Sequence, residues 1–318
     1  RALAAPAVRR RAQEAGVVSL SEVPATGPGG VVTRADLERF LATAAAAAAA
    51  DEEGNEAAAA PPLGPGPFAE VVPGAIVPFT PVMRAMSKAM ERSLAVPHML
   101  LSEEVEMDRL MALRAQLRVE VEGSLAAAAA AAGGNGGGGK LTFMPFILKT
   151  TSIALAQYPI LNSSIHESGD QVVYHENHNI GVAMDTPQGL IVPVINEVQN
   201  KSILDIAAEL NELQYLGKEG KISPERMRGA TFGFSNIGII GGTYTAPVVI
   251  PPQVGIGALG KIKKVPKFDE SDKVVPAHIA NISWSADHRV VDGAALARFS
   301  SLWKRSIENP ATMLAFLK

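Results

Sequence analysis

The chain has 318 residues, 47% of them hydrophobic, and a formal net charge of −3. That length allows one or two domains with a sizeable core, and the charge gives no case for a nucleic-acid partner. There is no cysteine, which excludes a disulfide scaffold, a thiolate metal site and an acyl-cysteine intermediate. The longest apolar runs are alanine tracts or short strands, so no membrane span is expected, and no metal site is predicted. Arg1 is not an initiator residue, so the chain reads as a fragment or processed form whose targeting peptide is gone.

Residues 1–42 are predicted to form a small all-helical domain. Pro6 can start a helix that carries Val8, Arg9 and Ala12 and stops near Gly16. Thr26-Gly-Pro-Gly-Gly30 is a tight glycine loop, and Thr33-Arg-Ala-Asp36 fits a capping box that opens a second helix through Leu41. Six arginines against four acids make this segment basic. Residues 43–74 are Ala, Pro and Gly with an acidic run at 51–53, the composition of a flexible or semi-extended linker. Such a tether lets an attached module swing while keeping its effective concentration high.

Residues 75–318 are predicted to be one α/β domain. Apolar residues recur at helical spacing over 83–94 and 107–117. Residues 120–139 are a low-complexity insertion, alanines followed by glycines, expected at the surface. A buried helix is expected over 143–158, with Pro145 in its first turn, and another helix over 203–216. Strands are predicted at 190–195, 230–234, 254–259 and 279–283. The apolar tail at 302–317 could dock on a neighbouring subunit.

The candidate chemistry sits just past the last strand, in Ser283-Trp-Ser-Ala-Asp-His288-Arg-Val-Val-Asp292-Gly293. An imidazole titrates near neutrality and can take a proton from a thiol and return it. The plainer reading is a strand-end turn, with Asp292 capping the Ala-rich helix that follows. His98, His166, His175, His178 and His278 compete with His288, but none lies in a comparable motif.

This segment resembles the active-site motif of the dihydrolipoamide acyltransferases, the E2 components of 2-oxo acid dehydrogenase complexes, a motif shared with chloramphenicol acetyltransferase. Two further blocks match the family in order: Asn179-Ile-Gly-Val-Ala-Met-Asp185-Thr-Pro-Gln-Gly-Leu-Ile-Val-Pro193 and Thr231-Phe-Gly-Phe-Ser235-Asn236-Ile-Gly238. The resemblance implies an α/β, chloramphenicol acetyltransferase-like catalytic domain with a central mixed β-sheet and flanking helices. It implies His288 as general base, Ser235 as oxyanion donor and Asp292 as orienter of the site loop through an ion pair or hydrogen bond with an arginine, with no covalent acyl-enzyme. By matching position it implies coenzyme A contacts at Arg114, Thr142, Asp185, Gln214, Ser235, Asn236 and Gly260. Plainer readings stay open: Ser235 as a turn serine, Arg114 as an exposed helix arginine.

Residues 1–42, through Ala5-Pro-Ala-Val-Arg9-Arg10, resemble the peripheral subunit-binding domain. The resemblance implies docking of the E1 decarboxylase or the E3 dihydrolipoamide dehydrogenase through Arg9, Arg10 and Arg34. Val31 and Gln13 stand where relatives carry arginine, and the choice between E1 and E3 stays open. Glu270-Ser-Asp272-Lys273-Val274 resembles a lipoyl-attachment motif but is read as a charged hairpin turn. Lipoate is therefore expected on a lipoyl domain outside these residues.

The stretches Lys140-Leu-Thr-Phe-Met-Pro-Phe-Ile-Leu-Lys149, Ile256-Gly-Ala-Leu-Gly260 and Leu302-Trp-Lys-Arg-Ser-Ile-Glu-Asn-Pro310 resemble the branched-chain members of the family. They imply isobutyryl, isovaleryl or 2-methylbutyryl transfer, trimers assembled into an octahedral core, and the mitochondrial matrix. The alternatives are an acetyl- or succinyltransferase on the same machinery, a non-catalytic docking scaffold, and a free antibiotic acetyltransferase, which would need neither docking domain nor linker.

Overall fold

The structure is a computed structural model, and it describes residues 3–5, 8, 12, 23, 26–27, 31–39, 74, 76–131, 139–187 and 189–316, with backbone alone for 126–131. Two compact units divide the chain, Arg1–Ala59 and Ala60–Lys318. The linker expected over 43–74 lies outside the described residues except for Gly74.

In the first unit, Leu3–Ala4 (β1) pairs in parallel with Val31–Val32 (β2), a short strand pair the all-helical expectation lacked. Val8, Ala12, Val23, Val32 and Leu37 form its core. The Thr33–Asp36 capping box is present. Thr33 N–H donates to Asp36 Oδ2 at 2.9 Å and Asp36 N–H donates to Thr33 Oγ1 at 3.3 Å. Thr26 also donates to Asp36 from its backbone and its hydroxyl, so one buried carboxylate ties the glycine loop to the helical turn at 34–39.

The second unit is built on a seven-stranded mixed sheet. Its spine is β13 (Val274–Asp287), whose neighbours settle the rest. One edge of β13 pairs antiparallel with β12 (Lys263–Phe268) and then with β11 (Gly255–Leu259). The other edge pairs with β3 (His98–Glu106) over its full length, Ile279↔Glu106 to Asp287↔His98. β10 (Phe232–Asn236) joins β11 in parallel, β6 (Ile180–Val182) joins β10 in parallel, and β9 (Val194–Ile195) closes the far edge. Two hairpins stand apart: β4 (Ser163–Ile165) with β5 (Val172–Tyr174), and β7 (Met184–Thr186) with β8 (Gly189–Ile191). The run at 190–195 is thus two strands rather than one, split at Val192-Pro193, because proline cannot donate to a ladder.

Among the described residues five helices accompany the sheet: α1 (Pro81–Ser93), α2 (Asp108–Ala131), α3 (Met144–Gln157), α4 (Ile203–Lys218) and α5 (Gly293–Glu308). Helix α2 runs well past residue 117, because the alanines expected to begin a surface insertion are the strongest helix formers and simply prolong it. Helix α3 is buried from Met144 through Leu155. It carries Lys149, whose Nζ donates to the carbonyls of Val198, Gln199 and Lys201 at 3.3, 3.0 and 2.7 Å.

Trp284 on β13 centres the core. Its ring meets Phe299 and Trp303 of α5 edge-on at 5.0 and 5.3 Å, and its Nε1 donates to Ser300 Oγ at 3.0 Å. The lysine-bearing segment 269–273 is the β12–β13 hairpin turn, in which Asp269 Oδ1 accepts from the backbone of Ser271 and Lys273. Among the described residues no helix is long and apolar enough to cross a membrane, and no three metal-ligating side chains converge.

Candidate active site

His288 follows directly on β13, in the turn that joins it to α5. Its backbone N–H donates to Pro97 O at 2.8 Å. Its Nδ1 lies 3.0 Å from Val291 O. A carbonyl only accepts, so Nδ1 carries a proton, and in the neutral tautomer this leaves the lone pair on Nε2. The residue is exposed, and a neutral imidazole with a free Nε2 is the form a general base requires.

The turn itself is tightly tied. Val290 and Val291 N–H donate to Asp287 O at 3.0 and 2.9 Å. The Asp287 carboxylate, 2% exposed, accepts from the Arg289 backbone and from its guanidinium in a two-pronged pair of 2.9 and 2.6 Å. Asp292 Oδ1 accepts from Ala295 N–H at 2.7 Å and is the N-cap of α5. The arginine pairing expected of Asp292 therefore falls to Asp287. Asp292 sits at a helix start, where its side chain folds back onto the free backbone N–H groups of the first turn. Its hydrogen bond ties the end of the turn to the helix start rather than to an arginine.

Ser235 lies at the other end of the sheet. It is near the C-terminal end of β10, level with Ala258 of β11, which is level with Ser283 of β13. His288 is five positions further along β13, toward the N-terminal end of β11. At about 3.4 Å per residue and about 4.8 Å per strand, the two Cα atoms are roughly 19 Å apart. Within one chain they cannot act on one reacting atom.

Of the remaining predicted contacts, Asn236, Gly260 and Asp185 lie at the Ser235 end of the sheet. Asn236 and Gly260 end β10 and follow β11, and Asp185 lies just beyond β6, so all three stand at the C-terminal ends of parallel strands. Gly260 is boxed in, since a Cβ there would meet Thr243 O at 2.3 Å. Gln214 is exposed on α4, one turn from Asn211, whose Nδ2 donates to Lys140 O at 3.2 Å. That contact places α4 beside the strap leading to Thr142. Arg114 is 5% exposed and its guanidinium lies 4.0 Å over the Phe143 ring, so the exposed-arginine reading fails. Arg34 is exposed and pairs with Glu38 at 2.7 Å. Arg9 and Arg10 lie outside the described residues.

Pattern reading missed Asp287, Arg289 and Pro97. An acid and a base on either side of His288 were the available signal, but which one turns back on the loop depends on side-chain direction.

The sequence of the family described as 2-oxoacid dehydrogenases acyltransferase (catalytic domain) matches residues 73–315. The chain belongs to the 2-oxoacid dehydrogenase acyltransferase family. A second family, the e3 binding domain, matches residues 2–38. Among relatives of this acyltransferase-family chain, the mouse lipoamide acyltransferase component of branched-chain alpha-keto acid dehydrogenase complex, mitochondrial, is 44% identical over 99% of the chain. The Caenorhabditis elegans protein of the same name is 42% identical over 99% of the chain and 68% of its own length. The chain spans 64% of the length of the mouse relative.

Two acyltransferase structures align over 80% of the chain and 99% of their own, each with 34% identity and a TM-score of 0.69. One is the dihydrolipoamide acetyltransferase of Azotobacter vinelandii, studied for the role of a serine, a histidine and an asparagine in its catalytic mechanism. The other is the cubic core of the pyruvate dehydrogenase multienzyme complex.

Proposed function

We propose that the chain transfers a branched-chain acyl group from dihydrolipoamide to coenzyme A, as the E2 acyltransferase of a branched-chain 2-oxo acid dehydrogenase complex, at a site shared by two copies. The observation that carries this is His288, held with Nε2 free, at the opposite end of the sheet from Ser235 and the coenzyme A contacts. One copy supplies the base, and its neighbour supplies Ser235, Asn236, Gly260, Asp185, Gln214, Thr142 and Arg114. The similarity to a cubic-core structure supports such an assembly. The serine, histidine and asparagine studied in the Azotobacter enzyme support the roles of Ser235, His288 and Asp292.

His288 Nε2 takes the proton of the coenzyme A thiol, and the thiolate attacks the thioester carbonyl of acyl-dihydrolipoamide. Ser235 of the neighbour donates its hydroxyl to the oxyanion that forms. Collapse breaks the bond to the dihydrolipoamide sulfur, which takes the proton back from Nε2. Asp287, Arg289 and Asp292 hold the turn and move no proton.

Trimers joined into an octahedral core would bring the two half-sites together. Residues 1–42 would dock E3 dihydrolipoamide dehydrogenase or E1 decarboxylase through Arg9, Arg10 and Arg34, with 43–74 as the tether to the catalytic domain at 75–318. Lipoate would arrive on a lipoyl domain. The mitochondrial names of the mouse and nematode relatives support a place in the mitochondrial matrix.

The test is transfer between free dihydrolipoamide and either isovaleryl-CoA or acetyl-CoA, by the assembled wild type and by His288→Ala. A branched preference, with a loss of about 100-fold or more in the mutant, is expected. An acetyl preference moves the assignment to the pyruvate complex. No transfer by the wild type leaves a docking scaffold and removes the catalytic reading.

A further inference from the structure

His98 was set aside in the sequence because no motif surrounds it, yet its ring joins three segments that meet at the base. Its Nδ1 lies 2.8 Å from Val96 O, and its Nε2 accepts from Val249 N–H at 2.9 Å. A backbone N–H can only donate and a carbonyl can only accept. The ring is therefore neutral, with its proton on Nδ1. Ser93, buried at the end of α1, donates from Oγ to Val249 O at 2.6 Å. Both polar groups of the fully buried Val249 are thus held by side chains of the segment that joins α1 to β3.

The same segment holds the base. Pro97 O accepts from His288 N–H at 2.8 Å, and His98 faces Asp287 across the β3–β13 ladder. Val249 leads into Pro251 and Gln253. These, with Arg92 of α1 and with Asp287 and Arg289 of the turn, line a cavity of about 280 Å³. Three walls meet there. The contact from His288 to Pro97 ties the turn to the α1–β3 segment, and the His98–Val249 contact ties that segment to the third wall.

We propose that His98 is a positioning residue for acyl transfer. In its single neutral tautomer it clasps Val249, and so holds the segment through which Pro97 sets the height of His288. The inference rests on the acyltransferase reading above. Because the coenzyme A contacts lie at the opposite end of the sheet, the clasp acts on turnover rather than on coenzyme A binding.

The test compares His98→Ala, His98→Gln and His98→Asn in the full assembled chain, with isovaleryl-CoA and dihydrolipoamide and with rates expressed per assembled particle. A glutamine carbonyl reaches the place of Nε2 and can accept from Val249, whereas an asparagine reaches only the place of Nδ1. Alanine and asparagine should lower kcat by about 10- to 100-fold, and glutamine should recover most of it. In all three the KM for acyl-CoA should stay within about threefold of wild type.

Unchanged kcat in His98→Ala overturns the proposal. So does a glutamine variant no better than asparagine, or a loss confined to KM. If the wild type itself transfers nothing, the acyltransferase reading falls first. If the wild type is active, the three variants judge His98 alone.

Discussion

His178 shows how a single buried group sets a pH response. Its Nδ1 lies 2.7 Å from Ser152 Oγ. Burial, and to a lesser degree the nearby Lys149 charge, lower its pKa to about 4. The unfolded chain binds this proton near pH 6.5 and the folded one does not, so the contribution is fully present above about pH 6.5 and is lost as pH falls toward 4. The loss amounts to about 2 kcal/mol once partial solvation is allowed for. Thermal unfolding followed between pH 7 and 4 should show this decline in the wild type and a flatter profile in His178→Gln. Asp36 responds in the same direction for a different reason: hydrogen bonds from Thr26 and Thr33 lower its pKa. Its support for the first unit is therefore fully present above the ordinary carboxylate range and is lost progressively as pH falls below that range into strong acid. Lys149 satisfies three backbone carbonyls at once. Lys149→Met would leave three carbonyls without their donor and should destabilise by about 2–3 kcal/mol in chemical denaturation.

At the scale of elements, β13 explains why the base stands where it does. Its last eight residues, Ala280 to Asp287, are buried almost throughout, so the chain must turn sharply once it leaves the sheet at His288. That turn is stopped by the Asp292 cap. Asp292→Ala should cost about 1 kcal/mol of stability and should lower kcat as well, a pair of effects read by denaturation and by steady-state rates. Glycine at 257 is required for a different reason: a Cβ there would sit 2.3 Å from Trp284 Cζ3 and 3.0 Å from Phe234 Cε2. Gly257→Ala should destabilise by about 1–3 kcal/mol through overpacking, measurable by urea denaturation. Helices were legible where apolar spacing or capping residues marked them, as in α3 and α4. The strand β3 was not, because His98-Met-Leu-Leu-Ser-Glu-Glu-Val-Glu106 does not alternate apolar with polar residues and is stabilised by pairing with β13, about 180 residues away.

For the whole molecule, the separation of His288 from Ser235 makes a prediction that no single-site variant can. Mixed assemblies of His288→Ala and Ser235→Ala chains should regain activity, because a copy with an intact serine can face a copy with an intact histidine. Equal random mixing should restore about a quarter of the wild-type sites. Co-expression followed by a transfer assay reads this directly, and activity no greater than that of the parent mutants would show that each chain holds a whole site of its own.

The sequence by itself determined the α/β class and the family, and it singled out His288, Ser235 and Asp292 as candidates, because these are matters of residue type and short spacing. It could also place the hairpin turn at 269–273 and the capping box at Thr33–Asp36, since both are closed by neighbours in the chain. Only the tertiary structure decided that Asp287, not Asp292, takes the arginine, that Arg114 is buried against Phe143, and that His98 has one possible tautomer. It alone put the base and the oxyanion donor at opposite ends of one sheet. The physical reason is that hydrogen-bond direction and strand order are set by partners distant in sequence, whose register follows from the packing of both sheet faces rather than from any local pattern.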